Sequence, residues 1–253
     1  MDIPALKKRA AYRAVEEVRS GMIVGLGHGS TAAFAIERLG ELIRSGALVN
    51  VRGVPCSLAV RLAARKAGIP LTDLNRNPVI DLTIDGADQV DDALDLIKGG
   101  GGALLREKMV AQASRREIII LDESKMTPIL GMRRAVPVEV VAFGWRSQIR
   151  FLEGLGARVT VRRREDGRLF RTDQGNVLLD PDFGPLREPR LLTAALQARA
   201  GIVEHGLFLG LASDVFVAGE GGLRHLVRKQ EGDNQEDRPP QKGERNGVAH
   251  ARR

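Results

Sequence analysis

The stretch from Val79 to Ala113, VIDLTIDGADQVDDALDLIKGGGGALLREKMVAQA, constrains this chain more than any other. An apolar strand-length run empties into the acidic turn Asp85-Gly86-Ala87-Asp88. After a polar loop and a short strand, Lys98 meets four consecutive glycines, Gly99 to Gly102, and then a helix that carries Glu107 about one turn in. Few folding requirements demand that combination. A site that handles an anionic substrate by acid–base chemistry does.

The rest of the chain supplies the frame. Residues 5–19 read as an amphipathic helix ended by Gly21, Met22–Leu26 as a buried strand, and AAFAIERLGELIRSG as a helix. Strands follow at Val49–Val54, Ile69–Leu74, Val79–Ile84 and Ile118–Asp122, with helices between several of them. Alternating strands and helices predict an α/β fold with a Rossmann-like, mainly parallel, doubly wound sheet and a site at the carboxyl ends of its strands. From about Val136 the rhythm changes. Strands at Val136–Val141, Arg158–Arg164, Asn176–Asp180 and Ile202–Leu207 and helices at Ser147–Leu155 and Glu188–Ala200 give the order β-α-β-β-α-β, a ferredoxin-like α+β unit. Ser213–Ala218 then reads as a further strand of the first sheet. The expected division is a catalytic domain over 1–131 and 208–228, an inserted domain over 132–207, and a polar, disordered tail over 229–253.

A second candidate site lies at Gly25-Leu26-Gly27-His28-Gly29-Ser30-Thr31, where a strand turns into a helix. Backbone N–H groups converging at a helix N-terminus, with two hydroxyls beside them, suit an anion. No Lys-Ser/Thr follows the glycines, and the third glycine of a dinucleotide fingerprint is replaced by Ser30, so neither familiar nucleotide loop is present. A tight turn capped by Ser30 explains the same residues without any ligand. Asp85 and Asp88 suit Mg²⁺ as well as sugar hydroxyls, but no further spaced ligands accompany them, so no metal is expected. Glu107 has its own bland explanation, since acids near helix N-termini complement the helix dipole. A useful base there needs partial burial to keep its pKa from falling.

Composition narrows the partners. Lys and Arg number 39 against 32 Asp and Glu, a formal charge of +7, but the basic residues are spread along the chain. Their one dense cluster, Arg162-Arg163-Arg164, reads as a solvated strand edge. With aromatics at 4%, no base-stacking surface is expected and nucleic acid is not an expected partner. A small polyanion such as a sugar phosphate fits the balance better. Cys56 is the only cysteine, so no internal disulfide or thiolate cage exists, and it reads as an inert small residue. No run is long and apolar enough to span a membrane, and the N-terminal segment lacks the apolar core of a signal peptide. A cytoplasmic location is expected.

Over roughly residues 5–228 the chain resembles the A-type ribose-5-phosphate isomerases. The resemblance rests on GLGHGSTAAF, DLTIDGADQVD, IKGGGGALLREK, DESK, VPVEVV, GNVLLD and GIVEHGLF, in that order. It implies a cofactor-free aldose–ketose isomerisation of D-ribose 5-phosphate and D-ribulose 5-phosphate in the pentose phosphate pathway, by a homodimer or a tetramer. It further implies Glu107 as the base that shuttles a proton between C2 and C1, Lys98 beside the reacting oxygens, and Asp85 in opening the furanose ring. Asp88, Gly86, Ala87, Gly99, Gly100 and Gly101 are implied around the sugar, and Gly29, Ser30, Thr31, Lys125 and Lys7 around the phosphate. His28 stands where a Thr is usual, Cys56 and Ala59 where hydroxyls are common, and Gln89 where an acid is usual. Competing readings are a related sugar-phosphate enzyme, such as an amino-sugar-phosphate deaminase, and a non-catalytic sugar-phosphate sensor; a sensor has no need to keep Glu107 and Lys98.

The tail contains almost no apolar side chains that could repay its ordering. Truncation after Lys229 is therefore expected to leave activity and melting temperature nearly unchanged. A large drop in either would show that the segment docks.

Overall fold

The computed structural model describes residues 2–228. The tail expectation for 229–253 lies outside them. Helix α1 (Ile3–Val15) starts where the Asp2 side chain accepts from the Ala5 N–H at 3.1 Å, with a proline in its first turn. It ends earlier than the expected residue 19, and the chain then turns through Gly21 at φ 87°. Strand β1 (Ile23–Leu26) leads into α2 (Ser30–Arg44), and β2 (Arg52–Pro55) into α3 (Leu58–Lys66). Strand β3 (Leu82–Asp85) is followed by two short strands, β4 (Gln89–Val90) and β5 (Leu96–Ile97), then α4 (Leu104–Gln112) and β6 (Glu117–Asp122).

The middle of the chain forms β7 (Val138–Val140), α5 (Trp145–Gly154), β8 (Arg158–Val161), β9 (Val177–Asp182), α6 (Pro189–Gln197) and β10 (Ile202–His205). These four strands make one antiparallel sheet in the order β10-β7-β9-β8, the ferredoxin-like arrangement of a β-α-β-β-α-β unit. Strand β11 (Leu207–Phe208) pairs instead with β5, which pairs with β4 in a three-stranded sheet. Strands β12 (Asp214–Gly219) and β13 (Gly222–Val227) complete the main sheet.

That main sheet runs β13-β12-β6-β3-β1-β2, parallel throughout except for β13. Its inner strands β12, β6, β3 and β1 are buried on both faces. Ile118, Ile120, Phe216 and Ala218 pack with α1, whose Ala10, Ala11 and Ala14 are small enough to bring the helix close. Ile119, Leu121, Val215 and Val217 pack on the opposite side with Val90, Leu96, Phe208 and Ala111. The alternation of one residue up and one down is the strand's period of two, with an apolar layer waiting on each side.

Two expected strands are corrected and one strand was not foreseen. Ile69–Leu74 is not a strand: only Leu71 makes a parallel bridge, to Gly53. Pro70 lacks an N–H to continue the ladder, and Asp73 turns the chain by accepting from the Asn75 and Arg76 N–H groups at 3.0 Å each. Ile202–Leu207 divides between two sheets at Gly206. Strand β13 was not expected, because a half-exposed antiparallel edge leaves a weak apolar pattern.

The strand order reverses beside β1: the chain goes to β2 on one side and returns to β3 on the other. The crevice beyond the carboxyl ends of β1 and β3 is the topological switch point, where ligands bind in open α/β sheets. Close approach there depends on Gly27, whose N–H donates to the Ile84 carbonyl at 3.0 Å. A methyl group at Gly27 would overlap both the Cα and the carboxylate of Asp85. Gly27→Ala is expected to cost about 1–3 kcal/mol or more through overpacking, read as a lower urea midpoint at unchanged m-value.

Candidate active site

Two segments bound the crevice. At the end of β1, Gly29 adopts φ 109° and is itself the N-cap of α2, with no side-chain hydrogen bond closing the helix end. Ser30 is therefore the first helical residue rather than the cap, and its hydroxyl accepts from Lys7 Nζ at 3.0 Å. The uncapped first turn of a fifteen-residue helix leaves N–H donors and the positive dipole end pointing out. Lys7 and Lys125 line the same cleft. A helix end with added cations is an arrangement that suits an anion.

The second segment delivers charge in the opposite sense. Asp85 ends β3, Lys98 follows β5, and Glu107 lies on the first turn of α4. Lys98 Nζ stands 3.0 Å from Asp85 Oδ2 and 3.1 Å from Glu107 Oε1, and it also donates to the Gly86 carbonyl. The side chains of Lys98, Asp85 and Glu107 are 2%, 2% and 5% exposed. Burial alone would push the lysine toward neutrality, but the two carboxylates outweigh it and hold the ammonium above its ordinary pKa. For Glu107 burial is the largest influence. It raises the carboxyl to about 7, opposed by Lys98 and reinforced by Asp85. Glu107 Oε2 is buried with no hydrogen-bond partner among the described residues. A carboxylate with one oxygen anchored and the other unsatisfied, poised near neutrality, has the properties of a general base.

Between these segments lies the glycine loop. Gly99 and Gly102 take φ 102° and 81°, which side chains rarely adopt. The Gly100 N–H donates to Asp88 Oδ2 at 2.7 Å. From outside, Arg162 Nη1 donates to the Gly99 and Gly100 carbonyls at 2.7 and 3.1 Å. Arg162 is thus not part of a solvated edge. Its side chain is 15% exposed, and it forks onto Asp180, the pairing that draws it inward. Arg163 and Arg164 are the exposed members of the cluster.

The cleft is lined by Lys7, Gly29, Ser30, Thr31, Gly86, Ala87, Asp88, Lys98, Gly99, Gly100, Gly101, Glu107 and Lys125. Asp85 is the one candidate that does not line it. Its Oδ1 accepts from the His28 and Gly86 N–H groups at 2.9 and 2.7 Å, so both oxygens are committed beneath the surface. His28, a departure from the usual residue, does line the cleft: its ring lies over Gly101 and its Nδ1 is 3.0 Å from Ser57 Oγ. Cys56 is buried, and burial pushes its thiol well up, consistent with an inert residue. The described residues contain no cluster of three or more His, Cys, Asp or Glu suited to a metal ion. None of the described helices is long and apolar enough to cross a membrane.

A Rossmann-like α/β fold with a helix end suited to an anion at its switch point, and a buried carboxylate–lysine–carboxylate triad beside it, is the arrangement of an enzyme that moves protons on an anionic substrate. The family described as ribose 5-phosphate isomerase A (phosphoriboisomerase A) matches residues 52–222. Ribose-5-phosphate isomerase A of Chloroflexus aurantiacus is 58% identical over 221 residues, covering 87% of this chain and 92% of that protein. A solved ribose-5-phosphate isomerase in complex with phospho-erythronic acid superimposes with a TM-score of 0.88 at 34% identity, covering 90% of this chain and 100% of that one. The isomerase of Plasmodium falciparum gives 0.87 at 41% identity, again covering 90% and 100%. The chain belongs to the ribose 5-phosphate isomerase A family.

The raised carboxyl of Glu107 has a consequence for stability. Because its folded pKa of about 7 lies above the unfolded value near 4.5, its contribution is full below the unfolded pKa and is lost as pH rises through about 7. The stability difference between the wild type and Glu107→Gln, which cannot ionise, is expected to move against the wild type between about pH 5 and about pH 8 in denaturant titrations. A difference independent of pH would place the Glu107 ionisation at its ordinary value.

Proposed function

We propose that this chain interconverts D-ribose 5-phosphate and D-ribulose 5-phosphate through a cis-enediolate, in the non-oxidative branch of the pentose phosphate pathway. The observation that carries this reading is Glu107: buried, raised to about 7, anchored on Lys98 by one oxygen and unsatisfied at the other. The phosphate sits at the start of α2 on Ser30 and Thr31, with Lys7 and Lys125 balancing its charge. The sugar lies along Asp88 and the glycine loop.

Glu107 removes the proton from C2 of the open-chain aldose and returns it to C1. Electrons pass within the substrate, since the aldehyde at C1 becomes an alcohol as the alcohol at C2 becomes a ketone. The reaction needs no redox cofactor. Lys98, kept charged by Asp85, stabilises the negative charge that develops on the substrate oxygens. Lys98 reaches the cleft and Asp85 does not, so the ring-opening role implied for Asp85 acts by way of that ammonium. Proton transfer contributes roughly 10²–10⁴-fold. Phosphate binding energy and orientation supply much of the rest. On the same resemblance we place the chain in the cytoplasm as a homodimer or tetramer.

The test is turnover of ribose 5-phosphate by the purified protein, with and without EDTA, beside Glu107→Gln. The wild type is expected to turn over in EDTA, and the variant to lose at least about 10²-fold in kcat. Wild-type-like turnover by the variant would falsify the assignment of the base.

A further inference from the structure

The inserted four-stranded unit reaches the glycine loop through Arg162, just past the end of β8. Its guanidinium divides its donors. Nε donates to Asp180 Oδ2 at 2.8 Å and Nη2 to Asp180 Oδ1, while Nη1 crosses to the carbonyls of Gly99 and Gly100 at 2.7 and 3.1 Å. Asp180 lies on the neighbouring strand β9, so the fork is held by a sheet rather than by a loop. The ring of Phe170 lies 6.0 Å from the guanidinium, and the same ring occupies the space a side chain at Gly102 would need.

We infer that Arg162 is a positioning residue for the isomerisation: held by Asp180, it sets the peptide planes of the glycine loop so that the Gly101 N–H faces the substrate. The inference rests on the function proposed above. A trans peptide is planar, with its C=O and N–H pointing in opposite directions. The Gly99–Gly100 peptide is pinned at both ends, its carbonyl by Arg162 and its N–H by Asp88 at 2.7 Å. The Gly100–Gly101 peptide is pinned at its carbonyl alone. Its N–H points away from Arg162, has no partner among the described residues, and belongs to a glycine that lines the cleft. That donor is available to an anionic oxygen of the substrate or of the enediolate.

Four glycines carry no side chains that could hold such an arrangement, and glycine has the most backbone freedom to lose. Within the loop the Gly102 N–H closes onto the Gly99 carbonyl at 3.0 Å, which leaves Arg162 as the one partner of the Gly100 carbonyl among the described residues. A solvated arginine would have no reason to face two carbonyls of another unit. Nor does a purely structural ion pair with Asp180 require the third contact, because the fork uses only Nε and Nη2.

The test compares wild type, Arg162→Ala, Arg162→Lys and Asp180→Asn as full chains, by steady-state kinetics with ribose 5-phosphate and by melting temperature. Arg162→Ala is expected to lose about 10–10²-fold in kcat, the scale of a misplaced contact, with a smaller change in KM. Millimolar methylguanidinium is expected to restore part of that turnover and to leave the wild type unaffected. The midpoint of the rising limb of the pH–rate profile should stay where the wild type has it, because Arg162 does not touch Glu107. Arg162→Lys and Asp180→Asn should fall between. A folded Arg162→Ala with wild-type kcat, or one that methylguanidinium does not rescue, overturns the inference while leaving the isomerase reading intact. If Arg162→Ala does not fold, Arg162→Lys decides in the same way, since one ammonium cannot fork onto Asp180 while bridging both carbonyls. A wild type without isomerase turnover overturns the functional reading, and this inference with it.

Discussion

The active site depends on one buried ammonium. Lys98 stands between Asp85 and Glu107, and each of the three would be costly to bury alone. Together they carry one positive and up to two negative charges, which keeps the lysine ionised and leaves Glu107 to be shared between protonated and ionised forms near neutrality. Removing the ammonium would leave two carboxylates facing each other out of water, a loss on the order of 3–5 kcal/mol for breaking a buried pair. The site is therefore no cheap addition to the fold. The β3 and β5 ends, α4 and the Phe208 ring, 5.5 Å from Lys98, are arranged so that these charges satisfy one another.

On the proposed function, binding and chemistry are divided between the two sides of the switch point. The β1–α2 side carries a helix end, hydroxyls and lysines, groups that suit an anion at a distance from the reacting carbons. The β3–α4 side carries the proposed base and the ammonium. The glycine loop joins them, with no side chain to crowd a sugar. The ties between the inserted unit and the catalytic side include Arg162 on the glycine loop and Lys108 on α4. Lys108 donates to Glu204 at 2.6 Å and to the His205 carbonyl at 2.6 Å. Glu107 and Lys108 are adjacent on one helix, so the element that carries the base is anchored by its neighbour.

Local chemistry made most of the frame legible. Apolar strand runs, glycine turns and the change of rhythm near Val136 are short-range signals, and the two sheets follow from them. The candidate site residues stood out because each stands at a turn where its type is unusual: acids after a strand, a lysine before glycines, hydroxyls at a helix start. Ile69–Leu74 misled because its apolar pattern says nothing about Pro70's missing donor at a sheet edge. Strand β13 was silent because exposed antiparallel edges need no apolar face.

The order of residues alone therefore determined the α/β class, the β-α-β-β-α-β order of the inserted unit and most of the residues that the cleft gathers, since these depend on periodicity, turn chemistry and spacing along the chain. Long-range packing decided the rest. It placed Asp85 beneath the cleft rather than in it, made Gly29 the cap in place of Ser30, brought His28 over Gly101, and drew Arg162 from an apparent surface cluster to the backbone of the glycine loop. It also raised Glu107, because a carboxyl's pKa answers to burial and neighbouring charge, and residues nine and twenty-two positions away along the chain supply that charge only once the chain has folded.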